Sequence, residues 1–444
     1  MELKEFCNAL YKASEKSNLE GFEISGSKSN SFSVNVLEGE IEKYNVSNSI
    51  SVSLRVKYNG KIGVSSSSAL DEEYIENMIN EARENAEIIE NDDVVFFSEK
   101  EKMKFSEPKT YNEELETITA AEKIALAKEM EQKALKYDSR VIRTGASMVA
   151  SFSDESVLVN SNGVDLSQKS NLLYGYIAPI VKIGENMNNV YEGFCVYNKA
   201  DIDVDKIVKK AVDEAIALCG ADSVKSGAYK TVIRNDAMLD LFETFSPIFS
   251  AENAQKGLSM LKNKEGEKIA ADCVTIVDNP HKDWGFASSA FDGEGTLTTV
   301  KNVVENGVFK TLLYDIKSAT KVGKKSTGNS KGGSIGGYNM YIEKGEDSFE
   351  EILKKADNGI MITSLAGLHS GADAKTGEFS LSAQGYLIEN GKLSRGVSGI
   401  TFSGNFYELL KNIECLSDDL YFGLASAHGT PTVLLNEKTV IAGE

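Results

Sequence analysis

The side chains best suited to metal or acid–base chemistry are few. Histidine occurs three times, as His281, His369 and His428. A helical zinc site needs two imidazoles one turn apart so that both reach the same ion, and neither H-x-x-x-H nor H-E-x-x-H occurs. A site assembled from distant residues, such as His369 with Asp373 and His428, stays open beside the plainer reading of hydrogen-bonded structural histidines. Serine is abundant, yet no G-x-S-x-G elbow marks a nucleophile. A Ser–His–Asp triad remains compatible with the sequence, because triad spacing differs between folds. The five cysteines, Cys7, Cys195, Cys219, Cys273 and Cys415, are scattered and form no C-x-x-C pair. That pattern argues against a disulfide framework or a zinc knuckle and suits reduced thiols in a cytoplasmic protein.

Three glycine-rich segments are the other places where chemistry could reside. Asp292-Gly293-Glu294-Gly295-Thr296 reads as a tight turn between strands or as a functional loop. Ser326-Thr327-Gly328-Asn329 opens a flexible stretch running to Gly337 that is not a phosphate loop, since G-x-x-x-x-G-K-[ST] is absent. Glycine lets a backbone turn sharply or approach a ligand closely, so this stretch is either a substrate-covering loop or a plain connection. Gly367 to Ser380 is long and polar, carries His369, and is either a functional loop on a β scaffold or turn architecture.

These segments need elements to position them. Residues 2–18 read as a helix. Over 30–66 the pattern alternates, with Phe32, Val34, Val36 and then Val52, Leu54, Val56 apolar, and Glu38-Gly39 and Asn59-Gly60 as turns. A helix follows from Asp71 with Ile75, Met78, Ile79, Ala82 and Ala86 on one face. One long helix is expected over about 113–137, strands over 141–198, and a helix over 203–218. A strand meander followed by a helix thus occurs twice, at 30–90 and 141–218, as an internal duplication or as two ordinary β-then-α units.

Beyond a boundary near 222–228, strand signals dominate, near 229–234, 273–278, 297–302, 308–314, 338–343, 379–389 and 431–441. Ser348 to Glu351 is a capping box that starts a helix, and Asn390-Gly391 is a hairpin turn. The expected fold class is α+β: residues 1–224 form an N-terminal domain of antiparallel sheet with helices, and residues 225–444 a β-rich C-terminal domain.

Over 444 residues the apolar share is 41% and the formal net charge −19. That acidity disfavours nucleic acid and anionic membranes as direct partners. No basic-then-apolar leader and no window of about 20 apolar residues is visible.

In this order, the three glycine-rich segments, with Gln384-Gly385-Tyr386-Leu387-Ile388-Glu389-Asn390-Gly391 after them and Val36-Leu37-Glu38-Gly39-Glu40 before, resemble the TldD/PmbA family, also called modulator of DNA gyrase. The catalytic members of that family carry H-E-x-x-x-H on a helix soon after the domain boundary and a late cysteine that completes a zinc site. Here the corresponding stretch is Ala251-Glu252-Asn253-Ala254-Gln255-Lys256-Gly257, with Ala251 and Lys256 at the histidine positions and Glu252 at the general-base position. Alanine cannot ligate a metal, and a lysine ammonium has no lone pair to offer. Cys415 lies too early to be the late cysteine, and Gly423–Thr430 holds none.

The resemblance therefore implies a PmbA (TldE)-like subunit without its own metal, paired with a zinc-bearing TldD-like subunit that acts on unfolded or leader peptides. The gyrase label, given the charge, implies only an indirect link to DNA. Glu252 and His369 stand as catalytic candidates, and Gly328, Asn329, His369, Ser370 and Gly371 as substrate contacts. Two alternatives stand beside this: a homodimeric peptide-binding protein without turnover, and a self-sufficient hydrolase built on His369 with Asp373, Glu378 or Ser380.

Overall fold

The computed structural model describes residues 1–89, 97–104 and 107–444; residue 90, the end of the first strand-then-helix unit, lies outside them. The N-terminal half runs α1 (Leu3–Glu15), β1 (Gly21–Leu37), β2 (Glu40–Tyr58), β3 (Lys61–Ser67), α2 (Tyr74–Ile88), α3 (Glu113–Glu116), α4 (Ala120–Tyr137), β4 (Val141–Asn160), β5 (Asp165–Ile183), β6 (Asn186–Asn189), β7 (Glu192–Val196) and α5 (Val204–Leu218). Its strands make one antiparallel sheet in the order β3-β2-β1-β4-β5-β6, with β7 also on β5. The period-two pattern explains how one sheet serves two cores. Phe22 and Ile24 of β1 pack with α1 and α2, whereas Phe32, Val34 and Val36, further along the same face, pack with α4 and α5. The two strand-then-helix units are thus halves of a single sheet.

The single helix expected over 113–137 is two. Thr119 accepts from Glu122 N at 3.2 Å, and the Glu122 carboxylate accepts from Thr119 N at 2.9 Å, a capping box that starts α4 afresh. On α4, Glu131 is 1% exposed and accepts from Glu38 N, Gly39 N and the Thr144 hydroxyl. That pins the β1–β2 turn, where Glu38 and Gly39 adopt φ of 54° and 77°. Over residues 40–51, β2 has no partner but β1 among the described residues, because β3 pairs only with Val52–Tyr58.

The C-terminal half contains β8 (Gly227–Ile233), α6 (Asn235–Phe245), α7 (Ala251–Gln255), β9 (Ile276–Asp278), β10 (Lys301–Glu305), β11 (Val308–Phe309), α8 (Ile316–Thr320), β12 (Met340–Ile342), α9 (Phe349–Ala356), β13 (Gly359–Ala366), α10 (Leu368–Gly371), β14 (Glu378–Glu389), β15 (Lys392–Asn405), α11 (Phe406–Lys411), β16 (Ile413–Leu416), β17 (Tyr421–Phe422), β18 (His428–Thr430), β19 (Val433–Leu435) and β20 (Thr439–Ala442). One sheet runs β13-β14-β15-β20-β8-β19-β16, and a parallel β8–β13 pairing joins β8, β13, β14, β15 and β20 into a closed ring without edges. The other runs β11-β10-β9-β12-β18-β17. The fold is α+β, with antiparallel sheet in the first half and a β-rich second half.

Hairpin and capping signals match what forms: Asn390 and Gly391 take φ of 52° and 71°, and Ser348 caps α9 through Glu351. Strand β13 and helix α6 lie where no element was expected, whereas β15 is the second strand of the Asn390-Gly391 hairpin. Ile360 and Ile362 of β13 fill one core with α6 while Met361 fills a second core on the other face, so burial on both sides hides the polarity pattern of that strand.

Candidate functional site

The residues picked out by sequence fall in three places. The first is α7. Ala251 is fully buried, and its N–H donates to Leu313 O at 2.9 Å. Glu252 is instead partly exposed and pairs with Lys256 at 2.8 Å, one turn on. The would-be general base thus faces an ammonium, and its helix presents no ligating atom at either expected histidine position.

The second place unites two of the glycine-rich segments. Asp292 accepts from Glu294 N, Thr296 N and Ser330 N at 2.9–3.0 Å, so the Asp292–Thr296 turn grips the Ser326–Ser330 loop. Gly328 takes φ of 70° and lies so close to the 297–298 backbone that an added Cβ would sit 2.7 Å from Leu297 O. Asn329 is fully buried. Its amide donates to Asp278 Oδ2 at 2.8 Å and Gly336 O at 3.0 Å, and its oxygen accepts from Thr327 Oγ1 at 2.7 Å and Lys301 Nζ at 3.1 Å. Lys301 also meets Asp278 Oδ2 at 2.9 Å. Burial pushes the Asp292 carboxyl up to about 6 and the Glu294 carboxyl up to about 7. With both donors and both acceptor positions occupied, Asn329 positions the loop and has no capacity left for a ligand.

The third place is α10, where His369 and Ser370 are exposed. Gly371 packs against Ser380 O, where a Cβ would come within 2.4 Å. Asp373 accepts from Lys375 N and Thr376 Oγ1, Glu378 from Asn405, and Ser380 from Ser403. Among the described residues none of these side chains makes a hydrogen bond or ion pair with His369. His281 meets the Thr298 carbonyl and hydroxyl at 3.1 Å, and burial lowers its pKa.

His428 lies elsewhere, and with it the structure assembles a site that the sequence reading missed. Asp236, Asp240 and Glu243 sit four and three residues apart on α6, hence on one stripe. Opposite that stripe α6 is apolar and buried, through Ala237, Met238, Leu239, Leu241, Phe242 and Phe245. The stripe faces a cavity of about 480 Å³ closed by Tyr191 and Glu214 from the N-terminal half, Thr363 of β13, Gln384 of β14 and the Tyr421–Ser426 segment. Gly423 permits that segment's approach, since a Cβ there would lie 2.6 Å from Leu239 Cδ2, and Ala425 takes a left-handed φ of 53°.

Charge in this cavity is unevenly matched. Arg234 makes a bidentate pair with Glu214 at 3.0 and 2.7 Å and also meets Asp236. Burial opposes the guanidinium charge, but these carboxylates outweigh it and raise the Arg234 pKa. Glu243 accepts from Ser426 Oγ and lies 3.7 Å from His428 Nδ1. Burial would raise its carboxyl, yet His428 and Ser426 hold it below the ordinary value. Asp240 has no such partner: burial, then Asp236 and Glu243, push its carboxyl up to about 7. Here the carboxylate stands between the serine and the imidazole. In a nucleophilic triad the imidazole stands between them, so Ser426 is not set against a base of that kind. Among the described residues, no three His, Cys, Asp or Glu side chains are grouped to hold a metal ion.

Comparison with known proteins matches this architecture along its length. Models of the PmbA/TldA metallopeptidase domain 1, central domain and C-terminal domain match residues 22–86, 113–218 and 226–442. An uncharacterised protein of Methanocaldococcus jannaschii is 31% identical over 421 residues, 92% of this chain and 94% of its own. Metalloprotease PmbA of Escherichia coli O157:H7 is 26% identical over 431 residues, 93% of this chain and 90% of its own. A solved structure from Thermotoga maritima MSB8, named for a proposed modulator of a DNA gyrase, superposes with a TM-score of 0.92 at 34% identity, covering 99% of this chain and 100% of that one. TldE from Thermococcus kodakarensis shares the fold, with a TM-score of 0.89 at 24% identity over 99% of this chain and all of that one. With three domain models in register over nearly its whole length, the chain belongs to the PmbA/TldD metallopeptidase family.

Proposed function

We propose that this chain is a PmbA/TldE-like subunit of a cytoplasmic metallopeptidase complex that acts on unfolded or leader peptides, and that it carries no catalytic zinc of its own. The observation that supports this most is α7: Ala251 is sealed in the core and Lys256 is engaged with Glu252. A zinc ion on a TldD-like partner would supply the Lewis acid and the activated water. This chain's part is to hold peptide. The cavity beside α6 offers space between its two halves, and the unpaired stretch of β2 offers main-chain groups to which an extended chain can add. All five cysteines are unpaired, which suits a reducing compartment. No described helix is long and apolar enough to cross a membrane.

The test is metal content and cleavage of an unstructured peptide, for the pure chain and for its mixture with a zinc-bearing TldD-like protein. Zinc and cleavage only in the mixture support the subunit reading. Stoichiometric zinc, or cleavage that survives a chelator, in the chain alone overturns it. A stable self-dimer that binds peptide without turnover, alone or mixed, favours instead a homodimeric binding protein; the open edge of β2 is the feature that favours this second reading.

A further inference from the structure

The acid stripe of α6 leaves one charge unanswered. Arg234 is matched by Glu214 and Asp236, and Glu243 by Ser426 and His428. Among the described residues the Asp240 carboxyl has neither an ion pair nor a hydrogen bond, although it lines the same cavity.

Two further polar groups there are unpartnered. Thr363 is 4% exposed, lines the cavity, and its Oγ1 has no hydrogen-bond partner. A buried hydroxyl left unmatched costs about 1–3 kcal/mol, so its presence calls for a ligand or an explanation. Gln384 also lines the cavity, and its side-chain amide makes no hydrogen bond to the described protein.

We propose that this cavity binds a primary ammonium group, with Asp240 as counter-ion and the Thr363 hydroxyl and Gln384 amide oxygen as further acceptors. An ammonium carries three donors and no acceptor, which suits one carboxylate and two neutral oxygens. A divalent metal suits the site less, since no three metal-ligating side chains converge among the described residues. The volume, about 480 Å³, lies in the usual range for small ligands, roughly 300–1,000 Å³. Tyr191 and Tyr421 on the walls accommodate an alkyl stem. The ammonium can belong to a lysine of a bound peptide or to a free alkyl diamine. The lysine source rests on the peptide-binding reading above, whereas the diamine source does not.

Binding draws on the raised Asp240 carboxyl. At neutral pH part of the population carries the proton, so an arriving ammonium releases it to solvent. Nothing is oxidised or reduced, and no covalent bond forms.

Titration calorimetry of the full chain tests this with three probes: an unstructured peptide with one lysine and blocked ends, the same peptide with acetyl-lysine, and 1,5-diaminopentane. Each is run against the wild type, Asp240→Asn and Thr363→Val, in two buffers of different ionisation enthalpy. The lysine peptide is expected to bind about tenfold or more tightly than its acetylated form, the difference vanishing in Asp240→Asn, with proton release at pH 7. Thr363→Val keeps the cavity's shape and is expected to weaken ammonium binding severalfold, which checks the result should Asp240→Asn fold poorly. Equal binding of both peptides to the wild type, with no diamine binding, overturns the ammonium site and leaves the peptide reading standing. Diamine binding that requires Asp240, with neither peptide bound, supports the ammonium site and removes the peptide reading. No binding of any probe overturns the proposal.

Discussion

Two acidic clusters in the C-terminal half differ in how fully they are answered. Around Asp278, Lys301 and Asn329 the three side chains answer one another, and the fully buried Asp278 carboxyl group meets both an ammonium and an amide. Along α6, Arg234 and His428 answer Asp236 and Glu243, Arg234 also answers Glu214 of α5, and Asp240 is left alone at the edge of a cavity. The first cluster spends its polarity on holding the 292–337 loops in place. The second keeps polarity in reserve where a ligand can enter. Sequence motifs pointed to the first, because loops that must be held need particular residues, but the second has the better form for binding.

Breaking the answered cluster is expected to do the most damage. Asp278→Ala leaves the Lys301 ammonium 12% exposed and unpaired, which costs about 3–5 kcal/mol; urea unfolding measures it, and a loss below about 1 kcal/mol contradicts the assigned role. Arg234→Ala removes the cation between Glu214 and Asp236 at a less buried position, and about 2–3 kcal/mol is expected by the same measurement.

Asp240→Asn sharpens the contrast by changing sign. The folded carboxyl titrates near 7, above the ordinary 3.8, with Asp236, Glu243, Glu214, Arg234, His428 and Tyr421 around it. The folded state therefore holds the proton more tightly than the unfolded state, and stability falls as pH rises from about 4 through about 7. The amide removes that penalty, so the variant is expected to be about 1–2 kcal/mol more stable than wild type at pH 8 and much closer to it at pH 5. Thermal melts at the two pH values decide, and equal shifts at both would remove the titration argument. Smallest of all, Lys256→Ala and His369→Ala are expected to change stability by less than about 0.5 kcal/mol, since both residues are exposed. A clear loss of peptide binding in His369→Ala would restore the loop reading of that residue.

Part of the site was legible and part was not, for identifiable reasons. Asp292–Thr296 and Ser326–Asn329 stood out by their glycines, and they do meet, through Asp292 and Ser330. His369 stood out because histidine is rare, yet α10 leaves it at the surface. Helix α6 carries its apolar residues on the side opposite the acidic stripe, but it went unread because it is only about three turns long and Arg234 provides no side-chain cap at its start. The four- and three-residue spacing of Asp236, Asp240 and Glu243 was the available signal. It could not show that Thr363, more than a hundred residues on, completes the same wall.

Local chemistry alone determined the α+β class, the Glu38-Gly39 and Asn390-Gly391 turns, the capping box at Ser348 and the absence of ligating atoms at Ala251 and Lys256. These depend on neighbours a few residues apart, whose sterics and hydrogen bonds the chain carries with it. Which carboxylates find a partner is decided only when α6, β13, β14 and the Tyr421–Ser426 segment close around one space, because Coulomb and desolvation energies depend on distance and burial, and these follow from the tertiary fold.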